Sequence, residues 1–426
     1  MKRIFVPLLV ACATTACAQN TKPSNADIAE VRRIETVLSH DSMQGRRAGT
    51  PGSDKAAAFI ASEFKKAGLQ PLPNGSYLQS FKVLRPKQTA LTATLNGAAL
   101  EAKNLLVITT QPDLKVSNTS GYNTVTIAAG ESIAEKATAA AQADQNTVVF
   151  VDTSFANIFP RLSAFKRQLF AGGSNVVFIM TAVQPQSYEV SVQHTFDETA
   201  MANVVGILPG KSKASEQVIF SGHYDHLGIG KPVNGDSIYN GANDDAAGIT
   251  AVIMLANHFK KQGGNQRTLV FAAFTAEEVG GFGAQYFSKQ FDPAKVAAMF
   301  NIEMIGTESK WGKNSAYITG FEKTDMGAIL QKNLQGTGFT FHPDPYPDQQ
   351  LFYRSDNATL ARLGVPAHTI STSKMDSEKH YHTVDDEIET LDLENMAAII
   401  RAIAQSSRSI VEGKDTPSRV DTKSLR

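Results

Sequence analysis

The chain has 426 residues, 42% of them hydrophobic, which is enough to bury one large core and a smaller one. Its 41 basic residues balance its 41 acidic ones, so it lacks the strong positive field that a general nucleic-acid or anionic-membrane partner requires. Both cysteines, Cys12 and Cys17, fall near the amino terminus, and cleavage after Ala18 would leave a mature chain with no disulfide and no thiol nucleophile.

Residues 1–18 carry Lys2 and Arg3, then the apolar stretch Ile4 to Ala13, then small residues ending Ala16-Cys17-Ala18. This is the three-part pattern of a signal peptide, and it predicts export to the periplasm or the extracellular space. Cys17 after Thr-Thr-Ala, or Cys12 after Leu-Val-Ala, leaves open a lipid-modified first residue and a membrane-anchored lipoprotein. The apolar stretch is too short to span a bilayer, and no other segment approaches the ~20 apolar residues required.

Helical periodicity runs over 26–39, and 51–67 reads as a second helix with Thr50 as N-cap, Pro51 in the first turn and Gly68 as the stop. Residues 77–84 are strand-like. From about Pro86 to Thr195 Ala, Thr, Asn and Gln dominate, with β-like segments at 91–95, 124–128, 148–151 and 176–180. This predicts an inserted, smaller β-rich domain over 86–195. Around it, 25–85 and 196–412 form one discontinuous domain in which strands alternate with helices, notably 246–261, 324–334 and 393–411. The polar tail over 413–426 is expected to be disordered.

Three apolar runs in the second half, 218–220, 268–275 and 297–302, read as buried strands, and they lead into His223, into Glu277-Glu278 and into Glu303. Charges at the tips of core strands cost several kcal/mol, as an order of magnitude, unless a cation or hydrogen bonds offset them. Together with Asn243-Asp244-Asp245 and Tyr381-His382-Thr383, these tips supply the oxygen and nitrogen ligands that two zinc ions need. Two ions sharing one carboxylate require five residues. We assign His223, Asp244 and Glu303 to one ion and Asp244, Glu278 and His382 to the other, with Asp244 as the bridge. Glu277 is then free to act as general base. Asp225, two residues after His223, is placed to accept the second ring N–H of that histidine, and Asp386 to do the same for His382.

Plainer readings apply elsewhere. His40, His194, His258, His342 and His368 are read as surface or hydrogen-bonded core histidines, and His226 and His380 as supporting or substrate-facing groups. Glu277-Glu278 has the competing reading of an acidic helix start, and Asp245 that of a cap for the helix beginning near Ala246.

The stretches Ser-Gly-His-Tyr-Asp-His-Leu-Gly (221–228), Gly-Ala-Asn-Asp-Asp-Ala-Ala-Gly (241–248), Ala-Glu-Glu-Val-Gly (276–280), Asn-Ile-Glu-Met-Ile-Gly (301–306) and Tyr-His-Thr-Val-Asp-Asp (381–386) resemble, in order, those of the M28 family of zinc metallopeptidases, which includes secreted bacterial aminopeptidases. The stretch 44–52 is similar to the family's entry into its first helix. The resemblance implies an α/β fold, a doubly wound mixed sheet with helices on both faces. It also implies two zinc ions, peptide substrates with a free amino terminus, and a cis peptide at Asp244-Asp245. Some members carry a protease-associated domain where 86–195 lies, and 148–152 followed by 171–178 is similar in layout. Two positions depart from the pattern: Glu303 stands where the family usually has Asp, and Asn357 where related sequences commonly have His.

The expected function is therefore that of an exported zinc-dependent aminopeptidase. Two alternatives compete: a glutaminyl-cyclase-like acyltransferase using one zinc, and a catalytically silent binding protein of the same fold.

Overall fold

The computed structural model describes residues 23–143 and 145–425; the signal peptide expected over 1–18 lies outside them. The chain divides into two compact units, one comprising Ser80–Met201 and the other the residues up to Gln79 together with those from Ala202 onward. No helix among the described residues is long and apolar enough to cross a membrane.

The larger unit is built on four adjacent parallel strands, Arg267–Phe274, Lys213–His223, Val296–Ile302 and Ala367–Ser371, in that spatial order. Antiparallel strands flank them: residues 204–208 pair with Arg267–Phe274, and Ser315–Ile318 pairs with Ala367–Ser371. Thr340–Pro343 adds a parallel edge strand beyond Ser315–Ile318. Runs such as Leu-Val-Phe-Ala-Ala-Phe form strands buried on both sides, because successive side chains point to opposite faces and each face finds its own core. Val218, Phe220, Leu269, Phe271, Ala298 and Phe300 join the cluster formed with the helices Asn25–Leu38, Pro51–Lys66, Ala247–Gln262 and Leu393–Ser406. Their neighbours Ile219, Val270, Phe274 and Met299 pack instead with Ala284 and Phe287 of the helix Phe282–Ser288 and with Leu360 of Asn357–Ala361. Helices thus cover both faces, as a doubly wound sheet requires.

The strand order matters for the site. From Lys213–His223 the chain steps to Arg267–Phe274 on one flank, then crosses to Val296–Ile302 on the other. Open α/β sheets form their ligand crevices at the carboxyl ends of strands where the winding reverses in this way.

Local chemistry sets the helix ends. Ser24 caps Asn25–Leu38 reciprocally: its side chain accepts from the Asp27 amide, and the Asp27 carboxylate accepts from the Ser24 amide at 2.8 Å. Thr50 does precede the helix Pro51–Lys66, but its hydroxyl donates to the Arg47 carbonyl at 2.6 Å rather than capping an amide. The single helix expected over 393–411 is broken at Ser407, whose hydroxyl donates back to the Ile403 carbonyl at 2.7 Å.

The tail is not disordered. The buried Arg267 guanidinium donates to the carbonyls of Ile410 and Asp415, Arg419 donates to the carbonyls of Val296 and Pro293, and Val420 is buried. Its polar composition suggested a solvated segment; its backbone instead supplies the acceptors that a buried guanidinium needs.

In the smaller unit, Leu105–Ile108, Val176–Met180, Thr147–Val151 and Asn123–Ile127 form a four-stranded sheet with one antiparallel and two parallel pairings. One face packs against Ile133, Ala137 and Ala140 of the helix Ile133–Gln142. The other packs against Leu114, Val116, Val190 and Val192. The helix is absent from the sequence reading, although Ile133, Ala137 and Ala140 recur on one face at helical spacing.

One acid inside the larger unit is anomalous. Glu35 is fully buried, and neither of its oxygens has a hydrogen-bond partner. Burial pushes its pKa up from 4.5 to about 8, a shift that neighbouring Thr250 and the Arg46 charge oppose only in part. A folded-state pKa above the unfolded one contributes stability that is full below about pH 4.5 and is lost as pH rises through about 8. Glu35→Gln is therefore expected to gain on the parent by a few kcal/mol between pH 5 and pH 9, read as the difference in urea unfolding free energy at the two pH values.

Candidate metal centre

His223 ends the central parallel strand, Glu277 and Glu278 follow the strand Arg267–Phe274, and Glu303 follows Val296–Ile302. Asp244 stands at the entrance to the helix Ala247–Gln262, and His382 in a loop before Leu393–Ser406. The fold brings these six together. His223, Asp244 and Glu303 form one group of close ligand atoms and His226, Asp244, Glu278 and His382 another, with Asp244 in both.

The distances fit coordination. His223 Nε2 lies 3.2 Å from Asp244 Oδ1, and His382 Nε2 lies 3.2 Å from both Asp244 Oδ2 and Glu278 Oε2. A tetrahedral ion with bonds of about 2.0 Å separates its ligand atoms by about 3.3 Å. The His223 imidazole is oriented for this role: its Nδ1 donates to the Asp225 carbonyl at 3.0 Å, which leaves the Nε2 lone pair directed at Asp244. That Nε2 is buried without any hydrogen-bond partner.

The field around the group also calls for positive charge. Burial disfavours charging His382, yet the hydrogen bonds it donates to the Asp244 and Glu278 carboxylates raise its pKa to about 10. His223 is likewise pulled well above its usual range by Asp244, Glu277 and Asp245, against its own desolvation. Although burial pushes it the other way, Asp244 is held far below the ordinary carboxylate range by these imidazoles. Protons on the histidines and divalent cations between them are alternative answers to the same excess of carboxylate.

Supporting groups differ from expectation in two places. The Asp225 carboxylate does not receive the His223 proton; the backbone carbonyl of Asp225 does, and the carboxylate accepts from the Glu277 amide at 3.0 Å. It thereby anchors the turn that carries both glutamates. Asp386 does not orient His382: its two oxygens accept from the amides of Asn243 at 2.8 Å and Asp244 at 3.0 Å, which fixes the backbone of the bridging residue. Spacing along the chain suggested both neighbours correctly but could not tell a carboxylate from a carbonyl, or a side chain from a backbone target.

Two further contributors were weighted too lightly from the sequence. His226 Nδ1 lies 2.8 Å from Glu278 Oε1, shorter than a coordination edge, so it holds that carboxylate rather than sharing its cation. Asp245, expected only to cap the helix, accepts from the amides of His223 at 3.2 Å, Gly248 at 2.9 Å and Met304 at 3.1 Å, tying two strand ends to the helix entrance. Its approach explains two glycines: a Cβ on Gly248 would sit 2.1 Å from the Ile302 carbonyl oxygen and 2.3 Å from Asp245 Oδ2, and one on Gly222 2.9 Å from each.

The Asp244-Asp245 peptide is cis. Ala276, Met304 and His382 take the left-handed conformation at φ 61°, 52° and 58°. Such non-glycine residues cost of order 1–3 kcal/mol each and persist where surrounding structure fixes them. Here they adjoin Glu277 and Glu303 and include His382 itself.

The Glu277 carboxylate receives no hydrogen bond from any described residue, and the buried Asp356 carboxylate near it is likewise without a partner among the described residues. Desolvation first, and then the nearby charges of Glu303, Asp356 and Glu278, raise its pKa well above the carboxylate range, with His223 opposing.

Residues 203–407 match the model of peptidase family M28. A probable leucine aminopeptidase of Trichophyton verrucosum (strain HKI 0517) is 28% identical over 203 residues, 46% of this chain and 53% of that protein. Leucine aminopeptidase 1 of Emericella nidulans is 29% identical over 210 residues, 46% and 51% of the two chains. The chain thus spans about half the length of the curated relatives it matches. Among solved structures, an aminopeptidase from Aneurinibacillus sp. strain AM-1 has a TM-score of 0.54 at 18% identity, covering 91% of this chain and 94% of that one. BSAP, a zinc aminopeptidase from Bacillus subtilis, has a TM-score of 0.54 at 17% identity, covering 90% and 95%. These two show that the fold is shared.

Because Asp386 holds the backbone of Asp244, Asp386→Ala is expected to weaken binding of a divalent cation about 10–100-fold while leaving the fold intact. Calorimetric titration with zinc, alongside circular dichroism, reads both.

Proposed function

We propose that this chain, which belongs to peptidase family M28 through residues 203–407, is an exported aminopeptidase that uses two zinc ions to remove amino-terminal residues from peptides. The observation that carries the reading is the pair of ligand groups joined through Asp244, with an unengaged glutamate beside them. His223, Asp244 and Glu303 would hold one ion, and Asp244, Glu278 and His382 the other. Bound there, zinc supplies Lewis acidity: it polarises a carbonyl and lowers the pKa of water towards neutrality.

The protein's own groups do the remaining work. Glu277, with its raised pKa, takes a proton from the attacking water and returns it to the departing amine nitrogen. Asp225 holds the Glu277 amide and so sets where that carboxylate points. Acidic side chains around the cluster attract the free amino terminus, the group that distinguishes an aminopeptidase substrate from an internal peptide bond. A silent binding protein would have no use for Glu277, the acid left over once Asp244, Glu278 and Glu303 are assigned to the ions.

Catalysis is assigned to the larger unit, and 80–201 is read as an insertion within it. The reading of export rests on the composition of residues 1–18.

Glu277→Gln keeps the shape and removes the base. It is expected to lower kcat by about 100–10,000-fold on aminoacyl substrates while zinc content by elemental analysis stays at two per chain. Retained turnover would remove Glu277 from the role. Zinc-loaded protein that cleaves no peptide would favour the binding-protein alternative.

A further inference from the structure

Beside Glu303 a small cleft opens between the loops that follow the strands. Its volume is about 50 Å³, roughly a third of the ~150 Å³ cavity that admits benzene, so it suits a short side chain better than a ring. Leu351 and Met375 give it apolar wall, and Glu303, Arg354, Ser371 and Ser373 line it beside them.

Two of the lining hydroxyls are weakly engaged. Ser371, buried at the end of Ala367–Ser371, donates to the Met304 carbonyl at 3.4 Å and accepts from the Ser373 amide at 3.2 Å, and the buried Ser373 hydroxyl reaches only the thioether of Met375 at 3.4 Å. Arg354 lines the same cleft and is exposed. Its guanidinium donates to the neutral Gln349 amide oxygen at 3.2 Å and joins no ion pair among the described residues. Among the described residues no carboxylate pairs with this guanidinium, whose planar fork matches such a group better than any other side chain does.

We propose that this cleft selects a carboxylate on the substrate, gripped by Arg354 with the hydroxyls of Ser371 and Ser373, while the reacting carbonyl lies at the cluster around Asp244. The proposal rests on the aminopeptidase reading and narrows it to acidic or very short peptides. An isolated cluster of acids would repel such substrates; Arg354 offsets that repulsion at the rim. Two sources present the same group, the side chain of an amino-terminal Asp or Glu and the terminal carboxylate of a dipeptide.

The zinc-loaded full chain and its Arg354→Gln variant can be compared on Asp-Ala-amide, Ala-Ala, Ala-Ala-amide and Leu-Ala-amide. The parent is expected to favour a carboxylate-bearing peptide over Ala-Ala-amide. The variant should raise KM for that peptide about 10–100-fold and change Ala-Ala-amide much less. An advantage confined to Asp-Ala-amide assigns the carboxylate to the side chain, and one confined to Ala-Ala assigns it to the terminus. Preference for Leu-Ala-amide, or an equal loss on all four, overturns the proposal. If no peptide is cleaved, the aminopeptidase reading fails instead, and calorimetric titration with the same peptides tests the cleft: affinities equal in parent and variant overturn it there too.

Discussion

Too many carboxylates share too little solvent at the carboxyl ends of three neighbouring strands, and the rest of the structure answers that constraint. Asp244, Asp245, Asp225, Asp356 and Asp386 are buried, and Glu277, Glu278 and Glu303 lie partly buried among them. Three kinds of answer are present. Backbone amides neutralise Asp225, Asp245 and Asp386, each of which accepts at least two. Imidazoles face Asp244 and Glu278. Behind them stands Arg46, completely buried, whose guanidinium donates to the carbonyls of Tyr224, Leu38, Asn240 and Gly241. It directs its hydrogen bonds to backbone and leaves its charge to the acids, including Asp225, Asp244 and Asp386. What remains uncompensated is the space between the histidines, where cations would complete the balance.

The same arrangement explains how rigid the ligands are. Asp244 does not depend on its own packing, because Asp386 holds its amide and Arg46 holds the carbonyl of Gly241, three residues before it. The turn at Glu277 is held by Asp225, and Met304 after Glu303 by Asp245. Four of the five side chains expected to grip a metal are therefore positioned by a second acid acting on backbone at or beside them, His382 being the exception, a division of labour that keeps first contacts within the tolerance coordination demands.

Much of this was legible in the sequence, and the parts that were not share a cause. Apolar runs ending in charged residues located the strands and their tips, since an unbroken apolar pattern that stops at a charge marks where a buried strand reaches the end of its sheet. The five candidate ligands that the fold brings together, with Glu277 beside them, followed from counting what two ions would need. Missed details all concern which atom meets which: the Asp225 carbonyl in place of its carboxylate, Asp386 on an amide in place of a ring, Asp245 on three amides in place of one. Spacing along a chain sets proximity, and only the path of the backbone sets direction. The ordered tail failed for a related reason, because composition reports what side chains prefer and says nothing of carbonyls needed by Arg267.

Asn357 shows how a departure from a family pattern can be absorbed. Its amide nitrogen donates to the carbonyls of Phe352 at 3.0 Å and Ala367 at 3.3 Å, and its oxygen accepts from the Thr369 hydroxyl at 2.9 Å. Asn301 extends the chain, donating to Thr369 and to Ser355 and accepting from Ser221. This network crosses the strands beneath Glu303 and ends at Ser355, which lines the same cleft. An imidazole at 357 would have one donor and one acceptor in place of two donors and an acceptor, so it would leave a buried carbonyl unpaired here. The asparagine therefore belongs to the floor that supports Glu303. Glu303, one methylene longer than aspartate, reaches the cluster with His223 and Asp244 from a strand end that the network beneath it holds in place.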